Sequence, residues 1–181
     1  MRDGAQWHGW SQQMALIRIL GIDPGSQVTG FGIIDLHGGR TAPIEWGSIR
    51  TEGDHSARLR DIFIGLGRVV REFKPTEIAI ERVFMNRNAD SALKLGQARA
   101  AAICATFDAD LPVYEYSARH IKKAVAGRGA AEKAQVQRMV QMILGVHDDL
   151  QADAADALAA AICHAHQRGT QALLRAAAGA R

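Results

Sequence analysis

The sequence of 181 residues is poor in cysteine, in aromatic residues and in long apolar runs, and each shortage excludes a class of protein. Its two cysteines, Cys104 and Cys163, are too few for a disulfide framework, and they lack the spacing of a zinc site. We expect both thiols to be free and buried, as in a reducing compartment. No apolar run approaches the ~18 residues that a membrane span requires, so we expect no membrane association.

The amino-terminal segment lacks the apolar stretch of a secretory signal, so we expect a cytoplasmic protein. Residues 1–15 show no periodic pattern, and we expect a disordered extension there, with Met14 as an alternative start. Residues 16–167 have the length of one domain, since domains run to ~100–200 residues. Residues 168–181 are rich in alanine and arginine, and we expect a frayed basic tail.

The net charge of +3 is small, but its distribution is uneven. Between Arg82 and Arg138 there are ten basic and five acidic residues, a surplus of +5, and the rest of the chain sums to −2. Between Gln141 and Ala165 there are four aspartates and no lysine or arginine. A basic middle followed by an acidic segment favours a phosphate-bearing partner beside a separate cluster of carboxylates.

The hydrophobic pattern predicts three strands, at Arg18–Asp23, Thr29–Leu36 and Ile44–Thr51, joined by tight turns. A helix follows, with apolar residues from Leu59 to Phe73 at spacings of three and four, and Pro75 ends it. The later pattern predicts two further strands, at Glu77–Glu81 and Val113–Tyr116. It also predicts helices at Ser91–Phe107 (capped by Asp90 or Ser91), in a short segment capped by Ser117, at Ala131–Leu144 and at Ala152–His166. This order predicts an α/β domain with a mixed five-stranded sheet flanked by helices.

Four carboxylates occupy positions typical of a functional site. Asp23 and Glu81 each end an apolar strand, and functional groups of open α/β sheets gather beyond the carboxyl ends of strands. Asp153 and Asp156 are three residues apart on a helix, so they share one face, and the alanines around them allow a close approach to the sheet. Each acid alone could instead be a helix cap or a surface charge. Asp148 and Asp149 are interpreted as turn residues.

Four clustered carboxylates repel one another, by ~4 kcal/mol per pair at ~4 Å and an effective dielectric of 20. Oxygen donors without cysteine or histidine suit Mg²⁺, with Mn²⁺ as a substitute. Two such ions stabilise the attacking and leaving oxygens of a phosphoryl displacement. The pattern therefore favours a metal-dependent phosphoryl-transfer site with two ions. His164 and His166 lie on different helix faces, which argues against a joint histidine site.

Four segments closely resemble the RuvC family of crossover junction endodeoxyribonucleases, the Holliday junction resolvases. These segments are Ile19–Gly25, Ile80–Phe84, Asn88–Arg99 and Gln151–Ala157, and the resemblance runs from about Arg18 to His166. It implies a ribonuclease H-like fold and a homodimer. It also implies Mg²⁺-dependent nicking of two strands of like polarity at a four-way DNA junction, leaving ligatable 5′-phosphate ends, at T-rich sites and together with the RuvA–RuvB branch-migration machinery.

The resemblance also implies roles for single residues. Asp23, Glu81, Asp153 and Asp156 correspond to the catalytic, metal-binding acids of the family, and Lys122 and Lys133 to basic residues near the scissile phosphate. Phe84 matches an aromatic residue that stacks on DNA bases. From the residues themselves, we expect a basic group to follow the DNA backbone, namely Arg119, Lys122, Lys123, Arg128 and Lys133. Arg87 is a further DNA-binding candidate. The apolar face of the Ser91–Phe107 helix is our candidate for the dimer contact.

Three other functions are alternatives to this one. An actin-like or sugar-kinase ATPase also opens on Asp-x-Gly before a hairpin, but it needs two lobes and about twice this length. Another ribonuclease H-like nuclease, acting on RNA, would explain Asp23 and Glu81 but not Phe84 or the Lys94–Arg99 segment. A junction-binding protein without catalysis would not need the complete set of acids.

Overall fold

The fold is built on a five-stranded mixed sheet. The computed structural model describes residues 16–83, 88–147 and 150–179, with side chains as far as Thr170. The strands are β1 (Ile17–Asp23), β2 (Val28–His37), β3 (Arg40–Arg50), β4 (Glu77–Arg82) and β5 (Val113–Ser117), in the spatial order β3-β2-β1-β4-β5. The first three strands are antiparallel neighbours, whereas β4 lies parallel to both β1 and β5. The predicted α/β class and mixed five-stranded sheet are confirmed.

Helices cover both faces of this sheet. They are α1 (His55–Phe73), α2 (Ala89–Cys104), α3 (Ala118–Ala126), α4 (Lys133–Leu144) and α5 (Ala152–Gly179). Helices α1 and α2 bury one face through a core that includes Leu20, Ile78 and Leu66. Helices α3, α4 and α5 bury the other face. The long helix α5 packs across β1 and β2, so its first turn lies over the carboxyl end of β1.

The helix ends follow local capping chemistry. Asp54 caps α1 by accepting a 2.8 Å hydrogen bond from the Ala57 amide, and Pro75 follows shortly after its end at Phe73. Ser117 caps α3, as predicted, by accepting from the His120 amide at 3.3 Å. The predicted cap of α2 is wrong: the Asn88 side chain caps the helix, because it accepts from the amides of both Asp90 and Ser91.

Three further predictions from the sequence are wrong in detail. Helix α2 ends at Cys104, not at Phe107, because a 3₁₀ turn over Phe107–Ala109 begins there. The last helix continues past His166 to Gly179, through an alanine-rich segment of high helix propensity. Both thiols are free, but Cys104 is exposed and only Cys163 is buried. None of the described helices combines the length and apolar character of a membrane span.

Candidate active site

Asp23 is the last residue of β1, and Glu81 is the penultimate residue of the adjacent parallel strand β4. In the β1–β4 ladder Ile22 pairs with Ile80, so the next residue of each strand is one of these acids. Both are half-buried, since their strands are covered on both faces and only the strand ends are open. Parallel neighbours lie ~4.8 Å apart, so the two carboxylates leave the same edge of the sheet side by side. The expectation that they meet is confirmed.

Asp153 and Asp156 reach the same edge because α5 packs unusually close to the sheet. Gly30 is the direct partner of Asp23 in the β1–β2 ladder, and a Cβ on Gly30 would lie 2.0 Å from the Asp153 carbonyl oxygen. One turn further along the helix, a Cβ on Gly21 would lie 2.0 Å from the carbonyl oxygen of Ala157. Only glycine allows this approach. The first turn of α5 therefore lies directly over the row that contains Asp23.

The electrostatics of the cluster show that the four acids interact. Burial, together with the negative charges of Glu81, Asp156 and Asp153, raises the pKa of Asp23 to about 7, against the opposing effect of Lys133. Burial also raises the pKa of Glu81, with Asp156 adding to the shift. No hydrogen bond to the Asp23 carboxylate is found among the described residues. Its ionised form is therefore costly as the site stands.

Two lysines lie against the acids. The ammonium of Lys133, the first residue of α4, is 2.7 Å from Oδ2 of Asp156, and this hydrogen bond raises the pKa of Lys133. Lys122, on α3, lowers the pKa of Glu81 by its positive charge. An open cleft of about 200 Å³ lies between them, lined by Glu81, Ala118, Ile121, Lys122, Lys133, Val136 and Asp156. The cleft thus holds two compact positive charges, of the kind that suits phosphate oxygens.

The donor set fits a hard divalent cation. Four carboxylates face two lysines, which leaves a formal surplus of two negative charges in a partly buried site. In the described part of the chain, no three His, Cys, Asp or Glu side chains are arranged closely enough to hold a metal ion without rearrangement. One of the four acids, Asp156, is instead paired with the Lys133 ammonium. A bound cation would supply the missing positive charge and lower the raised pKa values. Carboxylate oxygens suit Mg²⁺ or Mn²⁺.

The other predicted basic residues lie further from the acids. Arg119 and Lys123 are exposed on α3, where they line a separate open groove of about 530 Å³ with Ser117, His120 and Ala124. Arg128 donates a 2.7 Å hydrogen bond to Oε1 of Gln135 and does not join the carboxylate cluster. Phe84 and Arg87 lie outside the described residues, as do Asp148 and Asp149. The role of each basic residue in DNA binding stays a prediction.

Sequence reasoning missed two features that shape the site. The first is Gly30, although a glycine inside a predicted strand signals a close backbone approach. The second feature is a buried hydrogen-bond chain through His164, for which the sequence carries no signal, because its members come from three separate segments. His164 is buried and His166 is exposed, so the two side chains lie on different faces of α5, as predicted.

Comparison with known proteins gives consistent matches. A family model described as "Crossover junction endodeoxyribonuclease RuvC" matches residues 19–164. A protein of that description from Methylococcus capsulatus is 56% identical over 156 residues, which is 86% of this chain and 94% of that protein. The structure of Thermus thermophilus RuvC superposes with a TM-score of 0.77 at 32% identity, covering 86% of this chain and 97% of that one. The same protein in complex with a Holliday junction substrate gives a TM-score of 0.76 at 33% identity, covering 82% and 93%.

Proposed function

This chain belongs to the RuvC family of crossover junction endodeoxyribonucleases, and we propose that its carboxylate cluster makes the paired nicks that resolve a four-way DNA junction. It is an endonuclease with a ribonuclease H-like fold. One observation carries the assignment of the site: Asp23 is held half-buried beside Glu81, Asp153 and Asp156, and its pKa is raised to about 7 by burial and by their charges. A structural role would not collect four acids at one sheet edge.

Nucleases of this family are metal-dependent. We propose Mg²⁺ as the ion, with Mn²⁺ as a substitute, and two ions for each active site. Asp23, Glu81, Asp153 and Asp156 are the residues that would hold them. When bound, such ions stabilise negative charge on the attacking and leaving oxygens of phosphoryl transfer.

The remaining groups of the cleft have distinct tasks. Lys133 and Lys122 each present a compact positive charge, suited to the non-bridging oxygens of the scissile phosphate. The ion pair with Asp156 holds the Lys133 side chain at the cleft and keeps it protonated, because the carboxylate raises its pKa. Arg119 and Lys123, in the neighbouring groove, are placed to follow the DNA backbone away from the cut, and we include Phe84, Arg87 and Arg128 in the DNA-binding surface.

The substrate calls for two active sites. A four-way junction presents two equivalent strands related by a two-fold axis, so we propose a homodimer that nicks two strands of like polarity. The products would carry 5′-phosphate ends that a ligase can seal. Cut sites rich in T and cooperation with a RuvA–RuvB complex are part of the same proposal, and a cytoplasmic location stays a prediction.

The deciding experiment offers the protein three substrates. A synthetic four-way junction, a linear duplex of the same sequence and an RNA–DNA hybrid are incubated with Mg²⁺, and each reaction is repeated with EDTA. We expect symmetric nicks in the junction alone, absent with EDTA, and resealing of the products by DNA ligase. Cleavage confined to the hybrid would instead support the RNA nuclease, and metal-independent binding without any cleavage would support a non-catalytic junction-binding protein.

A further inference from the structure

A chain of buried polar side chains runs beneath the candidate active site and takes no part in the chemistry described above. Nδ1 of His164 lies 2.6 Å from the Tyr116 hydroxyl, and Nε2 of His164 lies 2.6 Å from Oε2 of Glu77. With the His164 proton on Nε2, the ring donates to Glu77 and accepts from the Tyr116 hydroxyl. Arg168 donates to the other oxygen of Glu77. These donor and acceptor roles require the neutral form of His164, with its proton on Nε2.

The surroundings of the chain favour this protonation. Burial lowers the pKa of His164, although Glu77 opposes the shift, and burial raises the pKa of Tyr116 to about 12. The ring of Tyr114 packs against His164 at a centroid distance of 4.3 Å, and His120 meets the edge of Tyr116 at 5.5 Å. His164 is only 1% exposed, so neither of its nitrogens has water as an alternative partner. Loss of one hydrogen bond would leave a buried polar group unpaired.

These hydrogen bonds join β4 and α5, which carry three of the four acids, to the neighbouring strand β5. Tyr116 is the direct partner of Glu81 in the parallel β4–β5 ladder, and the next residue, Ser117, caps the helix that carries Lys122. Glu77 is the first residue of β4, the strand that carries Glu81 near its carboxyl end. His164 lies eight residues after Asp156 on α5, about 12 Å along the helix axis at ~1.5 Å per residue. A rotation or slide of α5 against β4 and β5 would stretch these hydrogen bonds.

We infer that Tyr116 is a positioning residue, whose hydrogen bond to His164 sets α5 against the β4–β5 pair and thereby brings Asp153 and Asp156 to the spacing from Glu81 that metal binding needs. The inference rests on the proposed function. It is specific to the hydroxyl, because the tyrosine ring alone would fill the same core volume. Junction binding depends on basic groups elsewhere and should not respond to it.

Two tyrosines that both lie against His164 provide a matched pair of variants. Tyr116→Phe removes the buried hydroxyl, whereas Tyr114→Phe removes a hydroxyl for which no hydrogen bond is found among the described residues and keeps the ring that packs on His164. Three quantities are measured for each full-length protein: the Mg²⁺ concentration for half-maximal junction nicking, the Kd for Mn²⁺ from the free-ion EPR signal without DNA, and the junction Kd without metal. Each is measured well below the melting temperature of the variant.

We expect Tyr116→Phe to raise the half-saturating Mg²⁺ concentration and the Mn²⁺ Kd at least threefold, with the junction Kd within twofold of wild type. Tyr114→Phe should leave all three within twofold. If Tyr116→Phe lowers only the melting temperature, or if Tyr114→Phe shifts metal binding equally, the inference is wrong. Should Tyr116→Phe fail to fold, His164→Leu is judged by the same criteria. If the wild-type protein binds Mn²⁺ but nicks no junction, the proposed function is refuted. The Mn²⁺ Kd of Tyr116→Phe compared with that of wild type would still test the positioning role of Tyr116.

Discussion

Gly30 and Asp153 are separated by less space than any side chain occupies: a Cβ on Gly30 would lie 2.0 Å from the Asp153 carbonyl oxygen. Because Gly30 pairs with Asp23 across the β1–β2 ladder, this contact fixes the height of the α5 first turn above Asp23. The acids on the strand and on the helix are thus brought together by a residue without a side chain.

Gly30→Ala should lower both stability and nicking. The added methyl group meets backbone rather than a flexible side chain, so α5 must shift, and overpacking of this kind costs about 1–3 kcal/mol. Thermal unfolding should show a reduced Tm, and nicking should fall more than junction binding. Gly169→Ala, in open space on the same helix, is the control and should leave both unchanged or raise the Tm slightly. Equal effects of the two variants would contradict the close-approach argument.

Asp23→Asn should abolish nicking and spare junction binding. The amide keeps the size of the side chain, but a divalent ion held by carboxylates loses affinity when one ligand becomes neutral. Removing a negative charge near the phosphates should leave junction affinity unchanged or slightly higher. Gel-shift affinity without metal and nicking rate with Mg²⁺ are compared on one junction, with the exposed Asp108→Asn as control; Asp156→Asn should behave like Asp23→Asn. A cleavage rate within about tenfold of wild type would remove Asp23 from the site.

Without divalent ions, stability should fall as the pH rises from about 4 to 7. Burial and the neighbouring acids raise the pKa of Asp23 from 3.8 to about 7 on folding. Between these two values the unfolded chain has lost the proton while the folded protein still holds it, so the free energy of unfolding decreases as the pH rises. Asp23→Asn removes the penalty, and its Tm between pH 4 and 8, measured in EDTA, should decline less than that of wild type. Parallel curves for the two proteins would show that Asp23 is not the buried, charge-crowded acid described here.

Lys133→Gln should reduce nicking at least tenfold and shift the pH profile of nicking to higher pH. The ammonium lowers the pKa values of Asp23 and Glu81, so its loss raises them and fewer carboxylates are ionised at neutral pH. The nicking rate is followed from pH 6 to 9 at saturating junction. Lys74→Gln, at the end of α1 and before the opposite end of β4, should match wild type. An unshifted profile would mean that Lys133 does not act through the acids.

The protein should be a dimer by light scattering at micromolar concentration. On α2, Ala98 and Ala102 are buried within the chain, while Leu93 is 67% exposed and available for a second copy. Leu93→Glu should therefore weaken the dimer and reduce paired nicking more than single nicks. Phe63→Glu, which alters an exposed apolar residue of α1, is the control. A wild-type monomer, both free and bound to the junction, would rule out the dimer.

The local sequence determined the strands, the helices and the identity of the four acids. Alternating and helical periodicities reveal burial before any contact is known, and Asp23 and Glu81 are conspicuous because each directly follows the apolar residues of its strand. The helix ends were predicted less well, as at Asn88 and Gly179, because neighbouring caps compete and an alanine-rich helix has no local reason to stop.

Distances between separate segments were decided only by tertiary structure. The row formed by Gly30, Asp23 and Glu81 exists because β1 lies between an antiparallel and a parallel neighbour, a register that none of the three segments encodes alone. The raised pKa of Asp23 and the bond from Tyr116 to His164 likewise depend on burial among residues far apart in the chain. Charge interactions and hydrogen bonds act over a few ångströms of space, whatever the separation in sequence, so these properties arise only once α5 has packed on the sheet.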